Sequence, residues 1–305
     1  MIYTLGETVL DIIFSNAIPV SATPGGSMLN TAVSLGRMKA PVAFISEYAN
    51  DHTGTMIHHF LVGNGVDVSH ISNHQDGKTS LALAFLDEQN NASYSFYKNF
   101  PRERLNIVPP EFKHGDFLLF GSFFSLDPGI RPRLLEILHQ AKEKGVTLIY
   151  DPNFRKPHLK DLPKVIGFIH ENIALADIVK ASDEDFQNIF TVGNPKDAYA
   201  IIHGYGCKTL FYTMNSRGVV FISETLQFHT PVPQIKPLST IGAGDSFSAG
   251  MLFALWKNSD KFDSLKQTDH HRWKMVVESG IAFAAEVCMS YENYISNDFA
   301  SKYND

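Results

Sequence analysis

Cysteine is scarce in this chain. Cys207 and Cys288 are the two it has. They lie far apart and belong to no C-x-x-C pattern, which argues against a disulfide framework and leads us to expect a reducing, cytoplasmic setting. Basic charge is short as well, with 26 lysines and arginines against 32 acidic residues and a net charge of −6. That leaves no basic footprint for nucleic acid, and a polyanionic ligand must meet positive potential concentrated locally. No apolar run approaches the length of a membrane span. The opening M-I-Y-T-L-G-E-T-V-L-D lacks a basic n-region and carries Glu7 and Asp11, so it is expected to be a strand and not a secretory signal. Internal repeats and low-complexity segments are absent. The histidine pairs His58-His59 and His270-His271 are adjacent in sequence, so on a helix they point to different faces and make poor metal sites. What the chain does have is apolar residues, 44% of 305, enough for a sizeable core in one large or two ordinary domains.

Apolar runs over 2–5, 42–45, 117–120, 147–150, 178–180 and 209–212 read as strands. The string from Pro24 to Asn30 opens a helical pattern with Leu29, Val33, Leu35 and Met38, another follows Asp51 (an N-cap), and others cover 131–144, 162–171, 183–190 and 196–204. Strands alternating with helices predict a mostly parallel sheet covered on both faces. Two pieces break that rhythm. Strands at 11–14 and 17–20 are joined through Ser15-Asn16, and strands at 81–86 and 92–97 are joined across D-E-Q-N-N. Both are hairpin-like and predict a small separate sheet. Residues 218–222 and 226–230 read as antiparallel edge strands. A last long helix is predicted over 272–289, and the polar tail at 297–305 is expected to fray.

The stretch most charged with chemistry is S-T-I-G-A-G-D-S-F-S-A-G-M-L, residues 239–252. Behind Asp245, Phe247, Met251, Ala254 and Leu255 recur at helical spacing, so a helix starts near Gly242-Ala243-Gly244. The first amides of a helix lack internal partners and carry partial positive charge, and glycines let a ligand approach them. A phosphoryl group can be held there, with Asp245 beside it as a proton acceptor whose position favours the ionised form. The plainer alternative is a Gly-rich turn with Asp245 capping the helix. Four further strings stand out: P-G-G-S-M-L-N (Pro24 to Asn30), D-P-N-F-R (Asp151 to Arg155), K-A-S-D-E-D (Lys180 to Asp185) and T-M-N-S-R-G (Thr213 to Gly218). Asp151 follows a strand, where open α/β sheets bind ligands. Ser182 before an acidic first turn also reads as an ordinary helix cap.

The run T-I-G-A-G-D-S-F-S-A-G resembles the C-terminal signature, D-T-x-G-A-G-D-x-F, of the ribokinase-like (PfkB-type) sugar kinases. G-G-S-M-L-N resembles that family's G-G-x-x-x-N. D-P-N-F-R resembles the D-x-N-x-R of its fructokinase and 2-keto-3-deoxygluconate kinase branch, S-D-E-D the S-D-E-E of fructokinases, and T-M-N-S-R-G the nucleotide loop T-x-G-x-x-G. The motifs fall in family order over nearly the whole chain, most weakly between Arg102 and Leu126. The resemblance implies one kinase domain over 1–305. Its fold would be three-layer α/β/α with a mostly parallel sheet and a small β-sheet lid, formed by about 11–24 and 78–100. It implies Asp245 as catalytic base, an anion hole from the amides of Gly242, Ala243 and Gly244, and Arg155 on the phosphoryl group. Sugar would be held by Asp11, Gly25, Gly26 and Asn30, with Asp151 and Asn153 on the substrate side and Lys98 reaching from the lid. ATP would lie against Thr213, Asn215, Gly218, Gly242 and Gly244, with Mg²⁺ held through water by Asp185. Phe85, Tyr94, Phe96 and Phe100 would supply apolar surface for a lid that pairs two subunits. Ser239 stands where the family often has a cation-holding Asp, so activation by a monovalent cation is not expected. Asn215 replaces the first glycine of the nucleotide loop, and Asn tolerates positive φ.

The function implied is ATP-dependent phosphorylation of a primary hydroxyl of a ketose, fructose to fructose 6-phosphate before others. 2-Keto-3-deoxygluconate is the nearest rival substrate, though its carboxylate would want an extra cation. Ribose and nucleosides stand further off. From another class, a non-catalytic sugar-binding regulator of the same fold would have had no reason to keep Asp245 and its glycines.

Overall fold

The computed structural model describes residues 1–86, 92–259 and 269–304. The turn expected at 87–91 lies outside them. In chain order the elements are β1 (Ile2–Leu5), β2 (Val9–Ser15), β3 (Ile18–Gly25), α1 (Ser27–Arg37), β4 (Val42–Ala49), α2 (His52–Gly63), β5 (Ile71–His74), β6 (Lys78–Leu86) and β7 (Ala92–Asn99). Then come β8 (Phe117–Gly121), α3 (Arg131–Glu143), β9 (Thr147–Asp151), α4 (Leu162–Leu175), β10 (Ile178–Ser182), α5 (Asp183–Phe190), α6 (Pro195–Gly204) and β11 (Thr209–Thr213). The chain closes with β12 (Val219–Ser223), β13 (Gln227–Thr230), α7 (Ala243–Lys257), α8 (His270–Cys288) and α9 (Asn297–Asn304).

Nine strands form one sheet in the order β13-β12-β11-β10-β9-β8-β1-β4-β5. It is parallel from β5 to β11, and β12 and β13 add antiparallel at the edge. The central strands are buried on both faces, which is why their sequences are apolar runs without alternation. One core, with Leu29, Phe44, Phe247, Trp273 and Phe283, lies under α1, α7 and α8. The other, with Leu134, Ile169, Phe186 and Ile202, lies under α3 to α6. The result is the three-layer α/β/α arrangement. Crossovers of this kind leave the carboxyl ends of the strands as the natural ligand edge.

The two irregular pieces form a four-stranded sheet in the order β3-β2-β6-β7. Each is an antiparallel hairpin, and β2 and β6 join them in parallel, a pairing that no local pattern announced. The first turn falls at Asn16-Ala17, one residue later than expected, with φ of 51° and 61°; such primed turns match the twist of a hairpin. One face carries Leu10, Ile12, Phe14, Leu81, Leu83 and Phe85, and the other Asp11, Ala82 and Phe96. Phe14 and Phe85 stack at 4.9 Å. Beyond β7, Arg104 pairs with Glu47 of β4 and with Asp127, and lies 3.5 Å over the Phe100 ring. The exit of the small sheet is thereby tied to the large one.

Strand β5 was not foreseen, being polar and only four residues long. Instead of fraying, the C-terminal stretch forms α9, because Phe299 and Tyr303 pack against Phe283 and Ala300 is buried.

Candidate active site

The first turn of α7 is shaped by contact. Gly242 has φ 79°, and a β-carbon there would meet the Asn293 carbonyl oxygen at 2.5 Å, so both conformation and space require glycine. Ala243 N–H reaches the Thr240 carbonyl at 3.3 Å. The N–H groups of Gly244 and Asp245, which a first helical turn leaves without an internal partner, bond to no other backbone among the described residues.

Asp245 is buried, 6% exposed. Among the described residues its carboxylate bonds to side chains of α1 and not to the backbone of its own helix, unlike a capping aspartate. It accepts instead from α1: Ser27 Oγ donates to Oδ1 at 2.6 Å and Asn30 Nδ2 to Oδ2 at 2.9 Å. Thr31 adds a bond to the Asp245 carbonyl at 3.0 Å. The helix N-terminus was expected to favour the ionised form. Burial prevails and holds the carboxyl above the usual aspartate range, with the Ser27 and Asn30 bonds and the Arg155 charge pulling the other way. Ser27 was missed in the sequence because nothing local links it to Asp245. Asn30 Oδ1 is buried with no hydrogen-bond partner among the described residues.

Beside this turn lie the ends of β9 and β10. Lys180 Nζ donates to Asp151 Oδ2 at 2.8 Å, both side chains buried, and Ser248 Oγ reaches the same oxygen at 3.3 Å. Both residues stand within strings that the sequence marks, but neither was given a role there. Asn153 adopts φ 41°, turning the chain so that Arg155 projects to solvent. Arg155 is exposed and its charge is felt at Asp245. It has no ion-pair partner among the described residues. Next to it, the half-buried His158 ring stacks on Phe123 at 3.9 Å; burial and the nearby Lys98 charge push its imidazole down.

Asp185 forms a full capping box. Ser182 N–H and Oγ bond Oδ2 at 2.7 and 2.6 Å, and Phe154 N–H bonds Oδ1 at 2.7 Å. Burial, then the neighbouring Asp151, raise its carboxyl above the usual range. A carboxylate so occupied is a poor magnesium ligand, and no group of three or more His, Cys, Asp or Glu suited to a metal occurs among the described residues. The residues present do not fit a protein-built magnesium site.

At the small sheet, Asp11 lies against Gly25, leaving no room there for a β-carbon, and Gly26, at φ 127°, packs on the Glu7 carbonyl. Burial, then Glu7, pushes the Asp11 carboxyl up to about 6. Lys98 is exposed and pairs with Glu7 at 2.5 Å, so its charge is matched at the surface of the small sheet. At the far side, Asn215 takes φ 51° and Gly218 φ 98°. The Met214 N–H to Gly218 carbonyl bond of 2.9 Å closes the loop after Thr213, so the turn survives its missing glycine. Arg217 in this loop pairs with Asp183 at the start of α5. Asn30, Asp245, Asp151 and Arg155 thus interact at one place, while a groove of about 570 Å³ beside β5 is lined by none of them, nor by Asp11.

A family model described as pfkB family carbohydrate kinase matches residues 5–294. Aminoimidazole riboside kinase of Salmonella typhimurium is 24% identical over 257 residues, covering 83% of this chain and 80% of its own. Fructokinase of Escherichia coli is 27% identical over 259 residues, covering 83% and 84%. Among solved structures, Vibrio cholerae fructokinase in its fructose, ADP and calcium ion bound form has TM-score 0.84 at 20% identity, covering 100% of this chain and 98% of that one. Aminoimidazole riboside kinase of Salmonella enterica, complexed with aminoimidazole riboside and an ATP analog, has TM-score 0.83 at 22% identity, covering 99% and 98%. The structural likenesses show the ribokinase-like fold.

Proposed function

Given that this chain belongs to the pfkB family of carbohydrate kinases and is a phosphotransferase acting on an alcohol, we propose that it moves the γ-phosphoryl of ATP to a primary hydroxyl of a ketose, fructose becoming fructose 6-phosphate. Asp245 takes the hydroxyl proton, and the α7 amides stabilise charge on the phosphoryl group. Arg155, unpaired and near Asp245, clamps the phosphoryl as a planar fork. Asp11 and Asn30 hold sugar hydroxyls over Gly25 and Gly26, with Asn153 beside them, and ATP lies along Thr213, Asn215 and Gly218. Magnesium in this reading arrives on the nucleotide's phosphates. Ser239 Oγ accepts the Ile241 N–H at 3.2 Å and brings no carboxylate, so no potassium dependence is included.

The observation that carries the reading is a buried carboxylate held by two neutral donors beside free helix amides. Substrate choice is supported by charge. Of the two lysines in the lid segments, Lys98 is matched by Glu7 and Lys78 acts on Asp51, and Asp11 adds a further negative group. A neutral polyol suits that surface better than a carboxylated sugar such as 2-keto-3-deoxygluconate. We place the whole chain in one cytoplasmic kinase unit, with the small sheet as its lid. Ile18, Val20, Phe85, Phe96 and Tyr97 are exposed on that sheet, apolar surface that favours a homodimer; Tyr94's side chain lies outside the description. ATP-dependent phosphorylation across fructose, 2-keto-3-deoxygluconate, ribose, aminoimidazole riboside and adenosine tests the reading. Fructose should show the highest kcat/KM. A higher value for another acceptor overturns the substrate, and sugar binding without turnover on any acceptor supports the non-catalytic alternative.

A further inference from the structure

Lys180 has no part in the mechanism above, yet its placement is costly. It is 4% exposed at the end of β10, and burying an ammonium is unfavourable unless charge and hydrogen bonds compensate it. The compensation comes from three buried carboxylates. Asp151 is in contact at 2.8 Å, and Asp185 and Asp245 act from further off. Burial alone would lower the Lys180 ammonium, and these carboxylates reverse that and hold it above the ordinary lysine range, so it is charged.

Its position relative to α7 is specific. Lys180 Nζ comes within 3.2 Å of the point that a β-carbon on Gly244 would occupy, so the ammonium lies against the turn that offers free amides. Asp151 Oδ2 carries the contact onward to Ser248, whose hydroxyl also bonds the Gly244 carbonyl at 3.2 Å. The strand ends and the first turn of α7 are thereby held in one register. Asp151 is the hydrogen-bond acceptor for one of the three ammonium donors, and Asp151 Oδ1 is buried with no partner among the described residues. A pair serving packing alone would be expected to use these groups more fully.

We propose that Lys180 is a positioning residue for phosphoryl transfer: its charge, held by Asp151, sustains the positive potential under the Gly244 turn so that an ionised Asp245 and the incoming phosphoryl group can occupy adjoining places. The inference rests on the kinase reading above. The groups facing Asp245 are neutral Ser27 and Asn30 from α1, Asp151 from β9, Lys180 from β10 and Arg155 from the segment after β9. Removing Lys180 leaves Asp151 uncompensated there and makes ionisation of Asp245 harder.

The test compares Lys180→Met, which keeps the stem without the charge, with Lys180→Arg, which keeps the charge. kcat and kcat/KM are followed against pH with ATP and the best sugar of the acceptor panel, beside thermal melts. Lys180→Met should lose about 10²-fold in kcat, comparable to removing one preorganised electrostatic donor. Its sugar KM should change little, the acid limb of kcat/KM should move to higher pH, and Lys180→Arg should recover at least about tenfold of the loss. A Lys180→Met enzyme with a lower Tm but wild-type kcat and acid limb overturns the proposal. If that variant does not fold, Lys180→Met/Asp151→Asn removes both charges. It should still be at least about tenfold slow, since the ammonium is the member lying against Gly244, and full turnover in it overturns the proposal equally. Asp245→Asn in the same assays separates the layers. If it is inactive while Lys180→Met matches wild type, only this inference falls; if it turns over normally, the kinase mechanism itself falls.

Discussion

Ser27→Ala is the sharpest probe of how Asp245 is held. The substitution deletes one hydroxyl that donates to a buried carboxylate oxygen at 2.6 Å. Hydrogen bonds to charged groups contribute about 1.5–3 kcal/mol, and one pH unit corresponds to about 1.4 kcal/mol. A water entering the space left by the hydroxyl would restore part of this, so the lower end applies. Burial already raises the Asp245 carboxyl, and the Ser27 bond opposes that rise; losing the bond raises it further. A general base must be ionised, so the acid limb of kcat/KM, which reports the free enzyme, should move up by about one pH unit. The limb of kcat should move less, because a sugar hydroxyl takes the vacated place in the complex. Stability offers a check of sign. A carboxyl raised in the folded state contributes stability at low pH that is lost as pH rises through its folded value. The Tm deficit of Ser27→Ala should therefore be larger at pH 8 than at pH 5. Coincident acid limbs in wild type and Ser27→Ala, at equal folded fraction, would refute the assignment of Asp245 as the titrating base.

Four further outcomes are expected. Asp245→Asn should lower kcat by about 10² to 10⁴ while sugar and ATP affinities stay within a few-fold, and because it relieves a buried charge its Tm at pH 8 should not fall. Arg155→Lys should not restore the kcat/KM lost in Arg155→Ala, since a point charge does not reproduce a planar fork; near wild-type kinetics in the lysine variant would exclude a bidentate clamp. Asp11, raised to about 6, should accept sugar hydroxyls less well as pH falls below that value, so fructose KM should rise from pH 7 to pH 5 in wild type and stay flat in Asp11→Asn. Hydrogen exchange with fructose should show protection over 11–24 and 78–100, and Phe85→Glu should shift any dimer towards monomer in sedimentation; protection elsewhere alone, with a monomeric wild type, removes the lid assignment.

Much of the architecture was legible because its causes are local. Double-sided burial writes itself as apolar runs, and this made the parallel strands and their intervening helices readable. The N-cap Asp51, which accepts the Gly54 N–H at 2.8 Å, and the capping box at Ser182 and Asp185 were legible for the same reason. Glycine at 242 and 244 before a run of apolar residues at helical spacing marked the α7 turn, and the Asn293 backbone, which a β-carbon on Gly242 would meet at 2.5 Å, shows why the first of them is there. Strand β5 and helix α9 escaped notice, since a short polar edge strand and a polar tail gain their order from neighbours and not from their own pattern.

Sequence by itself determined the fold class, the family and the neighbourhood of the chemistry, because periodicity, glycine placement and motif order are properties of contiguous residues. Only the tertiary structure decided what each charged group touches. The Ser27 contact to Asp245 spans 218 positions, the Asn30 contact 215 and the Lys180 contact to Asp151 29, and no pattern within a single element encodes such partners. The parallel pairing of β2 with β6 made one four-stranded sheet of two hairpins. The second oxygen of Asp185 is taken by the Phe154 N–H, 31 positions away, a partner that the local helix cap does not announce. Whether Asp245 is easily ionised was likewise settled in three dimensions: its place on a helix favours the charge, and its burial, which depends on how α1 packs against α7, opposes it more strongly.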